Sequence, residues 1–162
     1  MEQLPIFVYG TLLPGQPNAY MWADSVKKVE TAVFPQGLLY DMGHYPMLVE
    51  EPGGSIIGAI FTLHNAHFQQ VVQRLDELED YNPQAHAQSP YRREKRIVGL
   101  RNGRSIQAWT YLGNPSYVKG MPPITSGDWV SHASKKGTPF LDWWANVTTV
   151  KGLLTDNNDA TK

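Results

Sequence analysis

The chain contains no cysteine in its 162 residues. That excludes a disulfide framework, a thiolate nucleophile and a cysteine-ligated metal. An excess of one charge is missing too: 14 basic against 15 acidic side chains leave a net charge of -1, with no basic tract to neutralise a phosphate backbone. No nucleic-acid partner is therefore expected. No apolar run approaches the roughly 18 residues that span a bilayer, and the start, Met1 to Pro5, lacks a basic stretch followed by an apolar one. The expectation is a soluble, cytoplasmic protein without a membrane partner. His44, His64, His67, His86 and His132 show no ligand spacing with a carboxylate, so no metal is expected and surface positions account for them.

What is present reads as one strand-rich domain, expected over residues 1–154 and followed by a polar tail, 155–162. A chain of this length buries roughly two-thirds of its unfolded surface. Ile6 to Tyr9 forms a short apolar strand ending at Gly10-Thr11, and Gln16 to Val29 holds a short helix opened by Asn18, with Met21, Trp22 and Val26 inward. Ala32 to Tyr40, Met47 to Glu50 and Ile56 to Leu63 read as strands. Asp41 to Pro46 and Glu51 to Ser55 separate them as turns. Gly58, inside the third of these strands, marks a bulge or a close backbone approach. Arg93 to Leu100 and Ser105 to Leu112 flank Asn102-Gly103, the strongest hairpin signal in the chain. Beyond Gly113, only Phe140 to Val147 reads as packed or helical, while Asp128-Trp129 looks like a packing anchor with a capping carboxylate. No repeat or linker divides the chain. A closed or strongly curved antiparallel sheet with a helix beside it is the natural architecture.

One carboxylate breaks the pattern. Over Ala66 to Tyr81 the apolar residues Phe68, Val71, Val72, Leu75 and Leu78 recur at helical spacing, with Asn65 as the expected N-cap. At about 100° per residue, Glu79 falls inside that apolar stripe, between Leu75 and Val72. Asp76 sits at the stripe's edge, and Glu77 and Asp80 point away. An unpaired carboxylate in apolar surroundings costs several kcal/mol, so an inward Glu is either paired with a cation, such as Arg92 or Arg93, or works as a general base or acid. A second feature bears on the choice. The strand ending at Tyr9-Gly10-Thr11-Leu12 can turn successive backbone N–H groups toward one point, a small anion-binding concavity. An anion-holding loop and a general base are two parts of one acyl-transfer site.

Tyr9 to Leu12 after the first strand, Leu75 to Tyr81, Tyr91-Arg92-Arg93 and Ala108 to Tyr111 together resemble the landmarks of the gamma-glutamylcyclotransferase-like proteins, which include gamma-glutamylamine cyclotransferase and the AIG2-like proteins. Gly37 to Tyr40, Tyr45 to Val49 and Gly58 to Phe61 fit the same pattern, and the whole covers about residues 5–112. The resemblance implies an α+β fold, a small mixed barrel, mostly antiparallel, with flanking helices. It implies Glu79 as the catalytic glutamate and Tyr9, Gly10, Thr11 and Leu12 as the substrate-holding loop. Tyr91 and Tyr117 are candidate pocket hydroxyls, with a core role as the alternative for each. The implied reaction releases 5-oxoproline from a small gamma-glutamyl amine or amide and needs no cofactor. The alternative is a non-catalytic member that binds a small acidic ligand or a protein partner. Proteins of that family usually carry Gly after the glutamate; this chain has Asp80, a residue that tolerates a left-handed backbone better than most.

Overall fold

The computed structural model describes residues 1–136. The expected packed segment Phe140 to Val147 and the polar tail lie outside the described residues. Six strands form one sheet: β1 (Ile6–Val8), β2 (Val26–Asp41), β3 (Pro46–Leu63), β4 (Tyr91–Leu100), β5 (Ser105–Gly113) and β6 (Pro123–Ile124). Their order is β3-β1-β5-β4-β2-β6, and β2 pairs with β3 as well. That last pairing closes the first five strands into a barrel and leaves β6 as an addition on β2. Among the described residues only β1 with β5 is parallel, and the other pairings are antiparallel. The barrel is thus mixed and mostly antiparallel, as the sequence resemblance implies.

Two long strands carry the closure. The β2–β3 pairing runs from Val26 opposite Leu63 to Asp41 opposite Pro46. The stretch Glu51 to Ser55, expected as a turn, lies inside β3. Gly37 pairs with Glu50 and Pro35 with Ser55, so Gln36 alone faces the residues from Glu51 to Gly54. Turn composition here makes an outsized bulge, with positive φ at Gln36 and Gly53, and the ribbon bends without ending. Gly58 marks a close approach: a Cβ there would sit 2.2 Å from the Val8 carbonyl oxygen and 2.8 Å from the Phe7 ring. The register stays regular on both sides of it, so the bulge alternative does not hold.

Helix α1 (Phe68–Leu78) buries Phe68, Val71, Val72, Leu75 and Leu78, the stripe read from the sequence. A separate 3-10 turn, Asn65–His67, precedes it, so Asn65 does not cap the α-helix; His67 occupies that position. The first connection is a kinked 3-10 segment, Ala19–Ser25, with Met21 and Trp22 buried and Asn18 at its start. The hairpin at Asn102-Gly103 joins β4 to β5. A second helix, α2 (Trp129–Ser134), was not legible in the sequence beyond its anchor: Trp129 is fully buried, and Asp128 caps it by accepting the Ser131 N–H.

Charge fixes α2 to the barrel. Lys136 Nζ lies 2.8 Å from Asp41 Oδ2 and His132 Nε2 lies 2.7 Å from the same oxygen, at the end of β2. Burial alone would push the Asp41 carboxyl up, but hydrogen bonds from Lys136 and His132 outweigh it and hold the group below the usual carboxylate range. Asp41→Asn should therefore cost about 1–2 kcal/mol at pH 7. A depressed folded-state pKa gives stability that is present above the unfolded value, about 3.9, and lost as pH falls through the folded one. Melting curves of both proteins should converge in acid. A gap that stays constant down to pH 3 would show that the carboxylate's charge contributes nothing.

Candidate active site

How α1 stops determines where Glu79 stands. The Tyr81 N–H donates to the Asp76 carbonyl at 2.8 Å and the Asp80 N–H to the Glu77 carbonyl at 3.2 Å. These are the two bonds of a Schellman ending, which requires a left-handed residue between them. Asp80 fills that position at φ 54°, with its side chain exposed. Glu79 is the C-cap residue, half-buried, directly after the last buried Leu of the stripe.

Glu79 lines an open concavity together with Leu78 and the whole segment from Ile6 to Leu12. The glutamate and the strand-end loop therefore share one site. Among the described residues, no hydrogen bond is donated by the amides of Gly10, Thr11 or Leu12. The carbonyls of this loop are occupied instead. The Thr11 carbonyl accepts from the Asn18 N–H at 2.8 Å, the Leu12 carbonyl from Trp22 Nε1 at 2.8 Å and the Gly10 carbonyl from the Leu13 N–H at 3.0 Å. Carbonyls tied back and amides left over are what an anion-holding loop requires. Asn18, 2% exposed, also donates its carboxamide N–H to the Thr11 hydroxyl at 2.8 Å, and its Oδ1 is buried in the pocket wall without a partner among the described residues.

Four tyrosines complete the lining: Tyr9, Tyr45, Tyr91 and Tyr111. Burial first, and the negative charge of Glu79 among the further causes, raise the hydroxyl pKa of all four above the ordinary tyrosine value. Their phenols stay neutral around the carboxylate at physiological pH. Tyr9 donates its proton to the Tyr111 carbonyl at 2.7 Å, Tyr91 to the Pro46 carbonyl at 2.9 Å and Tyr111 to Asp76 Oδ1 at 2.6 Å. With those protons committed, the hydroxyls of Tyr9, Tyr91 and Tyr111 can meet a ligand only as acceptors, which suits a cationic or N–H-bearing one.

Of the residues singled out in the sequence, the structure brings together Glu79, Tyr9, Gly10, Thr11, Leu12 and Tyr91. Tyr117 is not among the lining residues; it sits in a 3-10 turn, Pro115–Tyr117, 42% exposed. Tyr45, Tyr111 and Asn18 were missed as site residues. Tyr45 and Tyr111 lie within blocks that matched the family pattern, and that was the available signal. Among the described residues no salt bridge joins Glu79 to Arg92 or Arg93, and Arg93 pairs with Asp76 at 2.9 and 3.1 Å. Nor do the described residues hold a cluster of three or more metal-ligating side chains.

A strand-end loop with unspent amides, facing a helix-terminal glutamate inside a small mixed barrel, defines the class. A family model described as gamma-glutamyl cyclotransferase, AIG2-like, matches residues 6–131, and the chain belongs to that family. It is 31% identical over 102 residues to BH1612 of Halalkalibacterium halodurans, whose name gives it provisionally as a gamma-glutamylcyclotransferase; the match covers 62% of this chain and 84% of that protein. The crystal structure of YkqA from Bacillus subtilis superposes with a TM-score of 0.61 at 25% identity, covering 85% of this chain; the chain spans 44% of YkqA. PH0828 from Pyrococcus horikoshii shares the fold, with a TM-score of 0.55 at 19% identity over 82% of this chain and 95% of its own. No helix of the described residues is long and apolar enough to cross a membrane.

Substitutions at two positions test this geometry. A Cβ on Gly10 would lie 2.7 Å from Pro46 Cγ and 3.0 Å from Cδ, so close contact constrains the position and a positive φ does not. Pro46 is itself held by Tyr91, so Gly10→Val should cost about 1–3 kcal/mol through overpacking. A melting temperature equal to the parent's would show that Pro46 yields. At Asp80, replacement by Gly should leave the melting temperature unchanged or higher. Asp80→Val should lower stability by about 1–3 kcal/mol, since a β-branched residue resists the left-handed region; a Val variant melting like the parent would contradict the turn.

Proposed function

We propose that the protein is a gamma-glutamylcyclotransferase-type enzyme that releases 5-oxoproline and an amine from a gamma-glutamyl amine or amide, with Glu79 as general base and then acid. The observation that carries this reading is the shared concavity of Glu79 and the unused amides of Gly10 to Leu12. The substrate's α-carboxylate would sit on those amides, and its α-ammonium would face Glu79 and the tyrosine oxygens. Glu79 takes a proton from the ammonium. The freed amine attacks the δ-carbonyl carbon of the same molecule and a carbon–nitrogen bond forms, closing a five-membered ring. The protonated Glu79 returns that proton to the leaving nitrogen, the tetrahedral oxyanion collapses and the bond to the leaving amine breaks. The second proton of the ring nitrogen passes through Glu79 in the same way, so that the amine departs as an ammonium and Glu79 ends as a carboxylate. Atoms and charge balance without an external nucleophile, which fits a chain without cysteine.

Neutral tyrosines serve this scheme in two ways. They present acceptors to an ammonium, and they add no competing negative charge beside the carboxylate. Holding the substrate folded is the larger contribution, because an oriented intramolecular attack carries effective molarities far above any bimolecular one.

The test is 5-oxoproline release from a panel of gamma-glutamyl amines, amides and dipeptides. Glu79→Gln should reduce turnover on the order of 10²–10⁴-fold, while the melting temperature and ligand affinity stay close to the parent's. Near-parental turnover in that variant would assign the base elsewhere. A protein that binds panel members without turning any over would instead support the non-catalytic, ligand-binding alternative.

A further inference from the structure

We propose that Asp76 is a positioning residue for this site: through its carboxylate it ties the glutamate-bearing end of α1 to the strand wall that holds the substrate loop. The inference rests on the reading of Glu79 as the base. Asp76 precedes Glu79 by three residues, and among the described residues it is the only side chain of α1 with a hydrogen bond to another element. The apolar stripe buries the helix but does not fix its height on the barrel, since Leu and Val contacts have no direction. Directional bonds at Asp76 supply that register.

Both ends of the residue are engaged. Its carbonyl accepts the Tyr81 N–H and so takes part in the turn that exposes Glu79. Its Oδ1 accepts from the Tyr111 hydroxyl at 2.6 Å and from Arg93 Nε at 2.9 Å, and its Oδ2 from the second guanidinium nitrogen at 3.1 Å. Arg93 is in turn held between rings, 5.0 Å from the Trp109 centroid and 5.5 Å from that of Tyr81. The Asp76 and Arg93 side chains are only 16% and 12% exposed, so water competes weakly for these bonds.

From Tyr111 the connection continues into the pocket. Tyr111 lines it, and its carbonyl accepts the Tyr9 hydroxyl at 2.7 Å, Tyr9 being the first residue of the substrate loop. One chain of bonds therefore runs from the helix end through Asp76 and Tyr111 to Tyr9. It sets the distance between the base and the group that holds the substrate carboxylate. Proton transfer is steep in that distance, whereas carboxylate binding on the loop amides is not.

The expected signature is a split between kcat and KM. Tyr111→Phe keeps the ring and deletes the hydroxyl; Asp76→Asn keeps the shape and deletes the charge that holds Arg93. Each should lower kcat by on the order of 10- to 100-fold, measured well below the melting temperature of each variant. KM stays within about threefold for Asp76→Asn, which lies outside the pocket lining, and rises further for Tyr111→Phe, which also removes an acceptor from the pocket. The double variant should lose little more than either single one, because both break the same connection. A merely structural role would lower the melting temperature and leave kcat of the folded protein unchanged, and that result overturns the proposal. If Asp76→Asn fails to fold, Arg93→Lys, which keeps the charge but loses the paired guanidinium bonds to Asp76 outside the pocket lining, takes its place and should show the same split. Glu79→Gln, assayed alongside, separates the two failures: its loss of turnover with intact kcat in the other variants removes only the positioning role. An active Glu79→Gln, or a parent protein inactive on the whole panel, removes both readings.

Discussion

The position of β1 between β3 and β5 is the constraint on which the site depends. All three of its residues, Ile6–Val8, are buried and paired with β3, and Ile6 and Phe7 are paired with β5 as well. A strand so short, gripped from two sides, has one direction in which to release its chain, and its end must deliver Tyr9 to Leu12 at the rim of the barrel. The parallel pairing with β5 sets that direction. Gly58 allows the grip, since any side chain there would strike the Val8 carbonyl oxygen. The closed β2–β3 ribbon then leaves no free edge in the five-strand ring at which β1 could be displaced.

The opposite wall of the pocket comes from a helix, and the two walls meet with complementary needs. A strand end offers amides once its carbonyls are tied back by Asn18, Trp22 and Leu13. A helix C-terminus offers carbonyls, and the residue at its cap extends the same polarity with a carboxylate. The pocket thus has a donor side and an acceptor side. Three tyrosines whose protons are already spent reinforce the acceptor side. Such a dipolar cavity suits an amino-acid head group, with carboxylate at one end and ammonium at the other.

Much of this was legible in the sequence because it depends on local rules. The helical stripe, the inward Glu79, the strand ending at Gly10 and the hairpin at Asn102-Gly103 each follow from periodicity or turn chemistry, and each stands in the structure. Where the reading failed, tertiary context decided. Glu51 to Ser55 has turn composition, yet pairing on either side holds it within β3 as a bulge. Tyr117 and Tyr45 are alike in residue type, and only the curvature of the barrel puts one on the surface and the other in the pocket. Helix α2 is short and carries little periodicity; a buried Trp and a capping Asp were its only signals. Asp76 was placed at the edge of the stripe, but nothing in its neighbourhood along the chain announces Tyr111, 35 residues away.

Asp80 shows how a departure from a family's usual residue is absorbed. The Schellman ending needs a left-handed residue, and Gly meets that need without strain. An exposed Asp meets it at a modest cost, and it is not among the residues lining the pocket. The turn consequently keeps both of its hydrogen bonds, and Glu79 remains at the cap. What the site requires at this position is a backbone conformation. Side-chain identity is free to vary as long as that conformation is reached. The same turn sets the glutamate one residue earlier at the cap, where its side chain lines the pocket.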